Sequence, residues 1–481
     1  MNYAMIVYTL GQILGAEGLL MVPSLIVSLY YGDPTWSSFL VTIAFLLMLC
    51  LFARFFKPKN RVIYAREGFV IVALSWLVMS LFGALPFFLS HEIPSLVDAF
   101  FETVSGFTTT GASILTNVEA MSRGLLFWRS FTHWIGGMGV LVFVLAIIPL
   151  AGERSMHLMR AEVPGPTVGK LVPKLRSTAM ILYSIYLALT IVEILLLKLG
   201  GLPWFDCLVN SFGTAGTGGF GIYNASIAHY QSGYIDAVIT IFMLVFSVNF
   251  SIYHLLLLRH FSQAFHNSEL RTFLGIVGGA MLLISLNIMP LYENNFGMAF
   301  RYASFQVSSI ISTTGFATAD FSQWPELSKM ILLLLMIVGA CAGSTGGGIK
   351  VARLIIMGKG IRSEVRRMLH PRMVNHIKMD GKPVKNETVH NVLVFFVAYG
   401  LILGVSLLIL SLDNNSLETT LSAELACLNN IGPGLDLVGP VGNYAHFSDL
   451  AKITLSLNML LGRLEIFPLV LLFAPSTWRR R

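Results

Sequence analysis

Four short stretches carry residue types able to turn bare backbone oxygens toward a ligand. They are Thr108-Thr109-Thr110-Gly111-Ala112, Ala215-Gly216-Thr217-Gly218-Gly219-Phe220, Ser312-Thr313-Thr314-Gly315-Phe316-Ala317 and Asn430-Ile431-Gly432-Pro433-Gly434. Glycine suits a turn that aims its carbonyl sideways, because such a turn often requires φ > 0. Thr110, Thr217 and Thr314, each just before the glycine, are small enough to pack around a narrow tube; in the fourth copy Ile431 takes that place and Pro433 follows. Gly111, Gly218, Gly315 and Gly432 are separated by 107, 97 and 117 residues. Four copies of one loop at near-regular spacing predict four walls around one axis, lined by carbonyl oxygens that can replace the hydration shell of a cation.

The elements that must hold these loops are membrane helices. Hydrophobic residues make up 55% of the 481-residue chain and charged residues only 12%, well below the quarter expected of a soluble domain. Ten spans of about 20 nearly uncharged residues are expected. The first two, about Met5 to Tyr30 and Ser37 to Phe56, form an N-terminal unit; Glu17 and the lack of a small-residue cleavage site mark the first as retained. A fourfold pattern follows: a span, a short apolar half-helix, the loop, and an exit span. The half-helices are Leu96 to Phe107, Trp204 to Gly213, about Gly297 to Ile311, and Leu417 to Cys427, too short to cross. The exit spans are about Leu125 to Leu150, Ile235 to Leu258, a long one from Lys329, and Ala451 to Leu472. The fold class is therefore an all-α polytopic membrane protein with a pseudo-fourfold pore. Its parts are 1–66, 67–177, 178–272, 273–388 and 389–481.

Charge sets the orientation. Inner segments hold 23 of the 32 Lys and Arg residues, among them Lys57, Lys59, Arg61, Arg154, Arg160, Lys170, Lys174, Arg372 and the terminal Arg479-Arg480-Arg481. Both termini are thus expected inside, and the acidic outer segments should gather cations at the mouth. The net charge of +7 follows this loop pattern and is no sign of a nucleic-acid partner. Cys50, Cys207, Cys341 and Cys427 show no metal-ligand spacing and read as buried thiols.

Unpaired backbone at membrane depth is tolerated only when buried or lining a water-filled cavity. One such loop alone reads as an ordinary Gly/Thr turn; four, each after a half-helix, read as a filter. A second constellation lies in the third exit span: Gly339-Ala340-Cys341-Ala342-Gly343-Ser344-Thr345-Gly346-Gly347-Gly348-Ile349-Lys350. So many glycines, each costing about 1 kcal/mol in a helix, predict a break below the filter that could plug the path. It is not a phosphate cradle, because Ile349 separates Gly348 from Lys350 and no strand precedes it. The formal GxGxxG at Gly216–Gly221 likewise follows a half-helix and not a strand.

Arg463 lies about 20 Å along the last span from Asp449, so it either pairs with Glu465 or another helix, or faces the cavity as a cation barrier that holds the loop. Lys350 serves similarly or snorkels inward. His133 and Trp134 read as packing residues beside Gly136, Gly137 and Gly139, while Glu102 and Glu424 should accept hydrogen bonds behind the filter.

These loops, with Phe131–Gly139, Met159–Pro166 and Gly462-Arg463-Leu464-Glu465, resemble the potassium-translocating subunits of bacterial Trk uptake systems. Those subunits, of the TrkH/TrkG type, share a superfamily with KtrB and plant HKT transporters. The resemblance covers essentially the whole chain. It implies potassium as the transported ion, with glycine at all four filter positions favouring potassium over sodium. Its filter would comprise Thr109, Thr110, Gly111, Gly216, Thr217, Gly218, Thr313, Thr314, Gly315, Asn430, Ile431 and Gly432. Its gate would comprise Gly343, Ser344, Thr345, Gly346, Gly347 and Gly348, with Lys350 and Arg463. It further implies a multi-pass protein of the bacterial inner membrane, a homodimer, a cytosolic TrkA-like partner binding NAD and ATP, and no organic cofactor in this chain. The rival reading is a symporter coupling potassium to protons or sodium, for which Glu17, Glu193 and Glu465 are the buried carboxylates available. A membrane enzyme lacks any cluster at catalytic spacing.

Overall fold

Each pore-directed half-helix begins at a residue that stops the preceding chain, and in three of the four that residue also satisfies a first-turn amide. In a computed structural model describing residues 1–56, 65–151, 175–370 and 377–478, these helices are Leu96–Phe107, Trp204–Gly216, Phe296–Ile311 and Leu417–Leu428. Ser95 caps the first by accepting from Asp98 N at 3.3 Å, Asn295 the third from Met298 N at 3.2 Å, and Ser416 the fourth from Thr419 N at 3.1 Å. The second starts after Pro203. The C-terminal halves of all four are buried, whereas the flanking spans expose large apolar residues such as Leu40, Leu283, Leu286, Val397 and Leu401, as a lipid-facing belt requires.

The N-terminal unit pairs Tyr3–Leu20 with Trp36–Ala53. Gly15 lies so close to Cys50 that a Cβ would meet its sulfur at 2.6 Å, the small-residue contact that lets membrane helices approach. All four cysteines are buried and free. Lys378–Met379 and Lys382–Pro383 form the one small antiparallel hairpin among the described residues. Lys57, Lys59, Arg61, Arg154, Arg160, Lys170, Lys174, Arg372, 479–481 and the motif 159–166 lie outside them.

Among the described residues, six helices are long and apolar enough to cross a bilayer, or seven if the bent pair Gly233–Ser247 and Phe250–Leu257 is one span. These six are the N-terminal pair and the four entry spans; of the four exit spans, three are cut into shorter helices. The first, Arg123–Ala151, runs 29 residues. The second bends by 93° after Gly233–Ser247. The third stops at Val338 and resumes at Val351. The fourth stops at Arg463 and resumes at Phe467. The first pieces of these three are of similar length, 15, 13 and 15 residues, about 20 Å each. Only the third break was expected. Val248 and Asn249 form the second, with Asn249 accepting from Ser251 N at 2.9 Å to start the next helix. At the fourth, Glu465 and Ile466 take φ of 54° and 70°, a strained conformation for non-glycine residues.

Candidate ion pathway

The four half-helices end in the same way. Thr109, Thr217, Thr313 and Asn430 are left-handed, with φ of 56°, 58°, 61° and 56°. The next amides reach back five residues: Thr110 N to Ser105 O (2.9 Å), Gly218 N to Gly213 O (2.9 Å), Thr314 N to Ser309 O (2.9 Å) and Ile431 N to Ala426 O (2.8 Å). This is the six-to-one bond of a Schellman ending. The third residue of each loop is a glycine at positive φ: Gly111 (82°), Gly219 (73°), Gly315 (84°) and Gly432 (100°).

The second loop is therefore shifted by one residue from the expected register. Gly219 stands with Gly111, Gly315 and Gly432; Gly218 stands with Thr110, Thr314 and Ile431; Gly216 is the last residue of its half-helix. The apparent match between Thr217-Gly218 and Thr110-Gly111 misled because backbone conformation, not side-chain identity, sets the alignment.

The loops interlock in chain order. A Cβ on Gly111 would overlap the carbonyl oxygen of Gly218, on Gly219 that of Thr314, and on Gly315 that of Ile431. On Gly432 it would lie 2.6 Å from that of Thr110. Each glycine thus meets the preceding-residue carbonyl of the next loop, and the fourth meets the first. The result is a closed ring around one axis. All four ring glycines border an outer cavity of about 220 Å³.

Side chains brace the ring from behind. Glu102 accepts from Ser113 Oγ (3.0 Å), Ile114 N (3.0 Å) and Arg129 Nε (2.5 Å). Arg129 also donates to Gly221 O at 3.0 Å and covers the Phe220 ring at 3.6 Å. His133 hydrogen-bonds Gly106 O through Nδ1 at 2.7 Å and packs on Phe220, and Glu424 accepts from Asn458 Nδ2 at 2.8 Å. The expected packing and bracing roles are those observed. Thr108 and Ser312 hydroxyls bond those of Thr110 and Thr314 at 2.8 and 2.7 Å. Asn430 Nδ2 reaches Thr110 Oγ1 at 3.0 Å, joining the last loop to the first. Tyr444, which sequence reasoning missed, donates to Gly432 O at 2.7 Å; nothing in its outer segment marked it. At the outer rim, Ser416 and then Thr419 donate to Asp436 at 2.6 and 2.7 Å and hold its carboxyl below its usual range.

Residues 339–350 form a loop directly below the ring. Gly347 N donates to Thr313 Oγ1 at 2.6 Å and Gly348 N to Asn429 O at 3.0 Å. The loop also satisfies the cut end of the second exit helix: Cys341 N donates to Ser247 O at 3.0 Å and Phe250 N to Gly343 O at 3.1 Å. Lys350 Nζ donates to Gly346 O, so this ammonium is turned into the loop and does not snorkel. Arg463 donates to Thr345 O at 2.8 Å and to Gly136 O at 2.7 Å, bridging the loop to the first exit helix. Glu465 pairs with Arg353, not with Arg463. Residues 343–348, Lys350, Arg463 and Glu465 border one inner cavity of about 90 Å³. Glu17 and Glu193 are buried and do not line it.

A family model described as TrkH, cation transport protein, matches residues 37–480. The chain is 36% identical to the Trk system potassium uptake protein TrkH of Halomonas elongata, covering 100% of both chains. It is 37% identical to that of Escherichia coli over 96% of each, and 32% identical to the E. coli Trk system potassium uptake protein TrkG over 98% of this chain and 97% of that one. The crystal structure of the potassium transporter TrkH from Vibrio parahaemolyticus superposes with a TM-score of 0.87 at 34% identity, covering 100% of both chains.

Proposed function

From the premise that this chain belongs to the TrkH family of cation transport proteins and is a membrane-embedded potassium uptake transporter of the Trk type, we propose that the glycine ring is its selectivity filter. One observation carries this reading: each ring glycine abuts the carbonyl of the next loop, in closed order. Backbone oxygens packed this way leave no room for side chains and supply a ladder of ligands that replace a potassium ion's water. The four half-helices point their negative ends at that ion, which lowers its cost in the membrane. Ions enter from the outer cavity, cross the ring, and reach the inner cavity.

The loop 343–348 is the gate. It hydrogen-bonds the inner edge of the ring at Thr313 and Asn429, where it blocks exit. Lys350 and Arg463 place two cationic groups beside it and oppose a cation until the loop leaves. A conformational two-state loop of this kind needs a signal, and a cytosolic TrkA-like partner that binds NAD and ATP is the proposed source. The proposal extends to a homodimer in the bacterial inner membrane with both termini cytoplasmic. Each protomer carries its own pore, because the ring closes within one chain.

Rubidium uptake by purified protein in proteoliposomes tests the filter. Competition by potassium and not by sodium is expected; equal competition by both ions refutes it.

A further inference from the structure

We propose that Glu269 is the latch of the loop below the ring, a positioning residue whose carboxylate staples both flanks of the loop in the blocking position. The proposal rests on the gate reading above. Glu269 is buried in the first turn of Ser268–Ile288. Its Oε1 accepts from Ala342 N at 2.6 Å and from Ala352 N at 3.1 Å. Ala342 lies just before 343–348, and Ala352 is the second residue of the helix that follows it, Val351–Leu369. One oxygen thus closes the base of the loop like a clasp.

The staple solves a local problem. The first amides of Val351–Leu369 have no intrahelical acceptors, and Lys350 at its N-cap supplies no side-chain bond. A carboxylate from a neighbouring helix is a favourable substitute there, since it meets the positive end of the helix dipole. Freeing the loop leaves these donors without acceptors, so loop release and Glu269 displacement are one event.

Glu269 is itself held from the hairpin 378–383. Asp380, in the hairpin turn, accepts from Ser268 N at 2.7 Å and from Asn267 Nδ2 at 3.3 Å. Met379 is buried in one apolar cluster with Ala342, Ala352, Ile356 and Val392. The hairpin therefore touches both the anchor of the latch and the flanks it clasps. Displacing the hairpin moves the carboxylate and the loop base together, which makes it the handle through which force on this face reaches the ring.

The test is rubidium flux in proteoliposomes for Glu269→Ala, Glu269→Gln, Asp380→Ala and a deletion of 342–346. Glu269→Ala should raise flux about tenfold, the order set by losing hydrogen bonds to a charged acceptor, with rubidium-over-sodium preference unchanged. Gln keeps a carbonyl acceptor but loses the charge, so its flux should fall between the parent and Glu269→Ala. Adding Glu269→Ala to the deletion should raise flux no further. A deletion that raises flux while Glu269→Ala does not overturns the latch and leaves the gate standing. A deletion without effect overturns the gate, and the latch with it. Should Glu269→Ala not fold, Asp380→Ala decides, since Asp380 is exposed and its loss leaves no buried cavity: increased flux supports the coupling, and unchanged flux overturns it.

Discussion

Replacing Gly219 by alanine should damage ion discrimination, although the sequence alone points to Gly218. Gly219 has φ of 73°, and holding alanine in the left-handed region costs about 1–2 kcal/mol. Its new Cβ would overlap the carbonyl oxygen of Thr314, a backbone atom with no rotamer to change, and overpacking adds about 1–3 kcal/mol. The sum is about 2–5 kcal/mol, and every 1.4 kcal/mol is tenfold in an equilibrium. If half of it deforms the ring, preference for rubidium over sodium falls roughly tenfold. Gly218→Ala meets a different neighbour, the His133 imidazole, with its Cγ at 2.4 Å. The same position carries side chains in the other loops, as Thr110, Thr314 and Ile431, so Gly218→Ala should be rescued by His133→Ala, whereas no side-chain truncation rescues Gly219→Ala. The assay is rubidium uptake with graded sodium competition. Parental discrimination in Gly219→Ala would refute the ring, and with it the shifted register.

Arg463→Ala removes two hydrogen bonds, to Thr345 O and Gly136 O. It should raise rubidium flux about tenfold, while Arg463→Lys, which lacks the planar fork, falls between; flux at or below the parental level would remove Arg463 from the proposed gate. Behind the ring, Glu102→Gln or Arg129→Met alone should be destabilising by about 3–5 kcal/mol, because each strands a buried charge. The double replacement should melt higher than either single variant in detergent, and additive losses would contradict the pairing. Asp436 has a depressed carboxyl, so its stabilisation is present above the ordinary aspartate range and is lost as pH falls through the lowered value. Asp436→Asn should accordingly flatten the fall in melting temperature between about pH 5 and pH 3, and an unaltered slope would show that the Ser416 and Thr419 bonds contribute nothing.

What was readable in the sequence followed from composition and from glycine. Apolar half-helices too short to cross, each before a Gly-bearing loop, identified the four loops that form the ring. The glycine run 343–348 identified the third break. The register of the second loop was not readable, because Gly216, Gly218 and Gly219 offer three alignments and only the left-handed Thr217 decides among them. The second and fourth breaks were hidden for a related reason. Val248 and Asn249 carry no glycine or proline, and Glu465 and Ile466 are held at positive φ by their surroundings, not by residue type. Asn249 as a cap and Pro468 in the first turn of Phe467–Phe473 were the only local signs. The latch was invisible for lack of proximity in sequence: Glu269 lies 73 residues from Ala342 and 83 from Ala352.

The ring's closure has a consequence for biogenesis. Its last seam joins Asn430 to Thr110 and Gly432 to the Thr110 carbonyl, across a separation of 320 residues for the first of these. A ribosome delivers these partners at opposite ends of its work, so the emerging chain holds three loops in the bilayer with a missing wall. The ring closes in one step, when the final hairpin of half-helix and exit helix inserts. A product cut short before that point lacks one wall of the ring, and the loops that would face it keep backbone groups without their packing partners.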